Sequence, residues 1–142
     1  MARSPEEIAS KTRTKENPME SIQTKTLPPH PLPGRVIYRA VGKDSPISSG
    51  EMSVSFGTYS EAYGPMAPHR HAEESVYIIR SVKGRVRYGG EPDALEHTLP
   101  LEDGMLLHFP ESEWHVFEYE PGGHIDAMFI YGTVDNIRPE EG

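Results

Sequence analysis

Proline and glycine recur so often along this chain that neither a long helix nor an uninterrupted apolar segment fits between them. With 14 Pro and 13 Gly in 142 residues, turn-forming positions divide the sequence into short runs. The runs themselves favour strands. Arg35 to Val41 is rich in β-branched residues and ends at Gly42. From Glu51 to Tyr59, Met52, Val54 and Phe56 alternate with Ser53 and Ser55, so one face meets a core and the other is wet or lines a polar cavity. Ser75 to Val82 is predicted to be a strand that turns near Lys83-Gly84 into Arg85 to Tyr88, a hairpin arrangement. Leu95 to Leu101 is a weaker strand interrupted by Pro100, and Pro121-Gly-Gly123 predicts a tight turn into a last strand, His124 to Tyr131. Glu61 to Pro68 is a loop, because Pro65 and Pro68 deny it a helix. Short strands repeated in this way predict an all-β sandwich or barrel.

The length supports one domain with a tail. Residues 1–26 are polar and lack sustained periodicity; a short helix could open at Pro5, but Asn17-Pro18 breaks it. They are predicted to form a flexible N-terminal arm, disordered alone or laid across a partner in a homodimer, ahead of a single domain over residues 27–142. Leu27 to Gly34 is extended and proline-rich, with His30 as a solvated histidine.

Charge and composition remove several function classes. The formal net charge is −8. The arm up to Lys25 holds five basic and four acidic residues, leaving nine against eighteen in the remainder. So acidic a domain repels a phosphate backbone, and no nucleic-acid partner is expected. The absence of cysteine rules out disulfides and thiolate metal sites. No run approaches the ~20 apolar residues of a membrane span, and no apolar signal-peptide core is present. A cytoplasmic protein with no membrane partner is expected.

Two stretches carry chemistry. In Pro65 to Gly84, PMAPHRHAEESVYIIRSVKG, His69 and His71 lie two residues apart beside Glu73 and Glu74. In an extended chain, residues i and i+2 share a face, so both imidazoles reach one point while Arg70 faces away. Alternation alone would carry Glu73 onto that face, whereas Glu74 joins it only if the chain turns or bulges at Ala72. In Gly104 to Tyr119, GMLLHFPESEWHVFEY, a glycine turn, an apolar run and a proline turn lead into a run bearing His115. His115, Phe117 and Tyr119 alternate onto one face; Trp114 falls on the other and braces the loop. His108 and His124 have no assigned role beyond ordinary structural use or the orientation of a ligand.

Over about Arg35 to Thr133 the chain resembles the cupin family, whose motifs are written G-x5-H-x-H-x3,4-E-x6-G and G-x5-P-x-G-x2-H-x3-N. Gly104, Pro110 and His115 fall at the family spacing, with Ser112 in place of the glycine and Tyr119 in place of the asparagine. His69 and His71 match the first motif. Gly64 is one residue too close, only two residues separate His71 from Glu74, and the closing glycine, Gly84, comes three residues late. The resemblance implies a jelly-roll β-barrel. It favours Glu74 over Glu73 as the carboxylate ligand, giving His69, His71, Glu74 and His115 as the metal set.

Nitrogen and oxygen donors without sulfur suit a divalent ion, Fe(II), Mn(II), Ni(II), Cu(II) or Zn(II). A six-coordinate ion held by four side chains keeps positions for a small-molecule substrate or dioxygen. The expected function is a metal-dependent enzyme acting on a small oxygenated metabolite, foremost an Fe(II)-type dioxygenase, with Tyr119 as candidate catalytic residue and proton donor. The alternatives are a redox-neutral lyase or isomerase using the metal as Lewis acid, and a small-ligand-binding protein without turnover.

Overall fold

A computed structural model describes residues 19–133. Among these the chain is almost entirely antiparallel β-structure: β1 (His30–Leu32), β2 (Arg35–Val41), β3 (Ser53–Ser60), β4 (Glu74–Gly89), β5 (His97–Pro100), β6 (Leu106–Phe109) and β7 (Trp114–Tyr131). Helix is confined to two single 3-10 turns, Thr24–Thr26 and Glu61–Tyr63. The second opens the Gly/Pro loop expected to be irregular and stops before Pro65. The expected N-terminal arm lies outside the described residues up to position 18; its remainder leads to Leu27, buried at the head of the domain, and on into β1.

The hydrogen-bonded order is β1-β2-β3-β7-β4-β5, with β6 also paired to β4. This is the expected all-β architecture, yet the ladder is open and does not close into a continuous barrel. Strand β4 pairs with β7 twice, Glu74–Val82 against His124–Tyr131 and Gly84–Gly89 against Trp114–Tyr119. Between the halves Lys83 adopts φ 58° and the register shifts. A positive φ at one residue bends a strand without reversing it. The hairpin expected at Lys83-Gly84 is therefore a bend inside one 16-residue strand. The tight turn expected at Pro121–Gly123 is likewise a kink within β7, where Gly122 has φ 84°.

The bends fold the sheet over so that its inner faces meet. Tyr59 of β3, beside the second half of β7, packs its ring 5.0 Å from that of Phe117 in the first half. Ile37, Val76, Ile78, Val86, Phe109 and Ile125 complete the core, each worth about 1.5–3 kcal/mol of burial. On β3 the serine face turns inward. Ser53 and Ser55 are 1% and 2% exposed, whereas Met52 is 41% exposed. Large rings on the neighbouring strand, Tyr131 and Phe129, stand opposite these serines and leave room only for small side chains.

Candidate metal centre

The ends of β4 and β7 and the loop before β4 bring the motif residues together. His69 and His115 exchange a reciprocal pair of backbone hydrogen bonds, each 3.0 Å. That bridge pins the His69–His71 loop to the start of β7. A bend at Ala72 then changes the parity of the chain, so Glu74 rather than Glu73 turns inward. Glu74 is 2% exposed, and its Oε1 lies 3.4 Å from Nε2 of both His71 and His115. Glu73 points outward and pairs with His108 at 2.7 Å. The site face thus continues from His71 to Glu74, the residue the family resemblance favours, and departs from simple alternation.

Each imidazole is oriented by a main-chain carbonyl at its Nδ1. His69 meets Ala67 O at 3.3 Å, His71 meets Ala72 O at 3.2 Å and His115 meets Glu113 O at 2.9 Å. A carbonyl only accepts, so Nδ1 carries a proton, and in the neutral ring Nε2 is the nitrogen left to ligate. One ligand atom from each of the three histidines falls within 4.8 Å of the others. His69 is held neutral, its pKa lowered from 6.5 to about 3, first by burial and then by His115 and His71. Neutral imidazole is the form that binds a metal.

Glu74 Oε2 is buried without a hydrogen-bond partner, and an orphaned buried carboxylate oxygen is costly unless something satisfies it. A cation does so. The three-histidine group fits a divalent metal ion. The space among Arg35, Tyr59, His69, His71, Glu74 and His115 is about 10 Å³, room for roughly one water or ion.

Aromatic rings fix the imidazoles from behind. Phe109 stacks on His115 at 4.1 Å, and the Tyr131 ring lies 5.3 Å from that of His71. Arg70 faces away, its guanidinium 4.9 Å from the Trp114 ring centroid. His124 pairs with Asp126 at 3.6 Å, and neither it nor His108 belongs to the three-histidine group.

Tyr119 stands apart from the histidines. It lines a separate cavity of about 380 Å³ that shares only Phe117 with the metal chamber, and its hydroxyl donates to Gly64 O at 3.3 Å. Burial, then Glu61, raises its pKa, so the phenol keeps its proton. Sequence reasoning passed over Arg35, which lines the metal chamber and is 1% exposed. The signal is available, because Arg35 shares the inward parity of Ile37 two residues on.

No protein-family model and no curated protein matches the chain. Solved structures do. The polyketide cyclase RemF from Streptomyces resistomycificus aligns with TM-score 0.63 at 16% identity, covering 87% of this chain and 89% of that one. An oxalate decarboxylase of Bacillus subtilis aligns with TM-score 0.63 at 15% identity, over 84% of this chain but 31% of that one. The Fe(II) form of HppE aligns with TM-score 0.59 at 12% identity, over 80% of this chain and 60% of that one. At such identities the likeness establishes the fold.

Proposed function

Starting from a chain with the cupin fold and a three-histidine site fitted to a divalent ion, we propose a metal-dependent enzyme that acts on a small oxygenated metabolite as an Fe(II)-type dioxygenase. The observation that carries it is the convergence of three imidazoles on a chamber holding the orphaned Glu74 oxygen. His69, His71, His115 and Glu74 would hold the ion. When bound, Fe(II) supplies the redox capacity and open positions that dioxygen chemistry needs. The protein's own part is to orient the imidazoles through their Nδ1 hydrogen bonds, to exclude bulk water behind Phe109 and Tyr131, and to present substrate past Phe117. Tyr119, in the adjoining cavity that shares Phe117 with the chamber, would hydrogen-bond that substrate. The structural neighbours include the Fe(II) form of HppE, which supports iron as the first ion to test.

A lyase or isomerase reading is favoured by one observation: RemF, covered over 89% of its own length, is a polyketide cyclase. We place the protein in the cytoplasm as a homodimer. An uncharged band across the outer sheet face supports the dimer; among the described residues no helix is long and apolar enough to cross a membrane.

Elemental analysis of purified protein, followed by oxygen-electrode assays over candidate hydroxylated substrates, tests this reading. Stoichiometric iron with substrate-dependent oxygen uptake is expected. Turnover without oxygen uptake would transfer the assignment to the lyase or isomerase, and absence of any retained divalent ion would overturn the metal centre.

A further inference from the structure

The chamber around the histidines, at about 10 Å³, is too small for the body of any metabolite. The adjoining cavity, at about 380 Å³, lies against Phe117, and a cavity of roughly 150 Å³ already accepts benzene. It has room for a bicyclic body with substituents and falls in the usual size range of ligand pockets. Met66, Pro65, Phe117 and the Tyr119 ring give it apolar walls.

Its charged rim decides what else can enter. Arg85 is the one cation among the residues lining the cavity, and it is already committed. Its Nε donates to Glu118 at 3.0 Å and its Nη1 to Glu120, while Arg87 donates to the second oxygen of Glu118 at 2.9 Å. Donation to Glu120 first, and then to Glu118, raises the Arg85 pKa. Glu61 also lines the cavity, its carboxylate accepting from Gly122 N at 3.3 Å. The charged residues that line it, Glu61 and Glu118 against Arg85, are acidic by one charge. An incoming carboxylate would meet like charge and an arginine whose charge is already paired with two carboxylates.

We infer that the substrate of the proposed enzyme is a neutral, ring-bearing hydroxylated compound whose apolar body fills the Met66–Tyr119 cavity, and that small organic acids are excluded. This rests on the metal-enzyme reading for its catalytic meaning, but the cavity binds independently of the ion. The phenolic oxygen of Tyr119, its proton directed to Gly64 O, keeps a lone pair to accept from a substrate hydroxyl.

The test compares 2-naphthol, neutral at neutral pH, with 2-naphthoate, the same ring bearing a carboxylate, by calorimetry on the full chain with and without Zn(II). Binding of 2-naphthol to both forms is expected, with 2-naphthoate weaker by at least about tenfold. The double variant Glu118→Gln/Glu120→Gln frees Arg85 and should close that gap. Met66→Trp should abolish 2-naphthol binding; if it fails to fold, the carbon-13 shift of the Met66 methyl on adding 2-naphthol reports the same contact. Equal or tighter binding of 2-naphthoate to the unmodified chain would overturn the inference, as would no 2-naphthol binding or an unmoved Met66 methyl. A chain that binds 2-naphthol yet retains no divalent ion defeats the metal centre and leaves this inference standing.

Discussion

His115 is the residue where replacement should cost most in metal affinity, because its ring is 2% exposed, stacked on Phe109 and hydrogen-bonded at Nδ1. His115→Ala is expected to lose stoichiometric metal on dialysis against a chelator, while His30→Ala, on the edge strand, keeps it. Retention by His115→Ala would overturn the ligand set. His69 sets a pH dependence of the metal-free protein. Its folded pKa near 3 lies below the unfolded 6.5, so between these values the unfolded chain binds a proton that the native state refuses. That stability is present above pH 6.5 and lost as pH falls towards 3, with a slope approaching ~1.4 kcal/mol per pH unit. Urea unfolding across this window should show the slope, and His69→Asn should flatten it; equal slopes would refute the assignment. The paired histidines and His115 are legible in the sequence because spacing and motif both mark them. Alternation points to Glu73, and only a bend at Ala72 brings Glu74 inward, which a period-two rule does not contain. Arg35 escapes notice because a cation at the head of a strand ordinarily faces water.

At the level of elements, the strands are legible and their continuity is not. Lys83-Gly84 and Pro121–Gly123 carry turn chemistry, but residues with positive φ serve bends and bulges as readily as reversals. The choice is made by the partner strand, since β4 and β7 pair on both sides of the bend. The proline turn between β6 and β7 shows the same chemistry under strain. Ser112 occupies the slot of the cupin glycine and holds φ 76°, a conformation that costs a residue bearing a Cβ about 1–2 kcal/mol. Ser112→Gly should therefore raise stability, by about 1 kcal/mol once the added freedom of the unfolded chain is deducted. Thermal unfolding of the metal-free pair would read this as a higher midpoint. A lower midpoint would mean that the serine contributes something that its conformation does not reveal.

Across the whole molecule, the outer face of the sheet bears a row that crosses five strands in register, Tyr38, Phe56, Met128, Tyr77 and Leu106. Beside it runs Val54, Ile130, Ser75 and His108. At ~4.8 Å between strands the longer row spans roughly 19 Å. Neither row contains an acidic residue or a lysine or arginine, although the chain carries a net charge of −8. Two acidic copies approach at least electrostatic cost along such rows, where charge stands at the borders, Glu73 paired with His108 at one and Lys25 and Asp126 near Tyr38 and Phe56 at the other. Tyr77, Ile79 and Leu106 are 38%, 45% and 67% exposed, and apolar surface grouped in this way marks an association site. A two-fold axis near Met128, on the middle strand of the row, would lay it against its own copy with Leu106 over Tyr38. A homodimer through this face is expected by sedimentation at micromolar concentration. Tyr77→Lys/Leu106→Lys should yield monomers that retain the metal, since both side chains point away from the histidines. The other expected device, an arm over residues 1–26 on the neighbour's edge strand, predicts the opposite pattern: truncation before Thr26 dissociates the dimer and the lysine pair does not. A monomeric full-length chain would dismiss both.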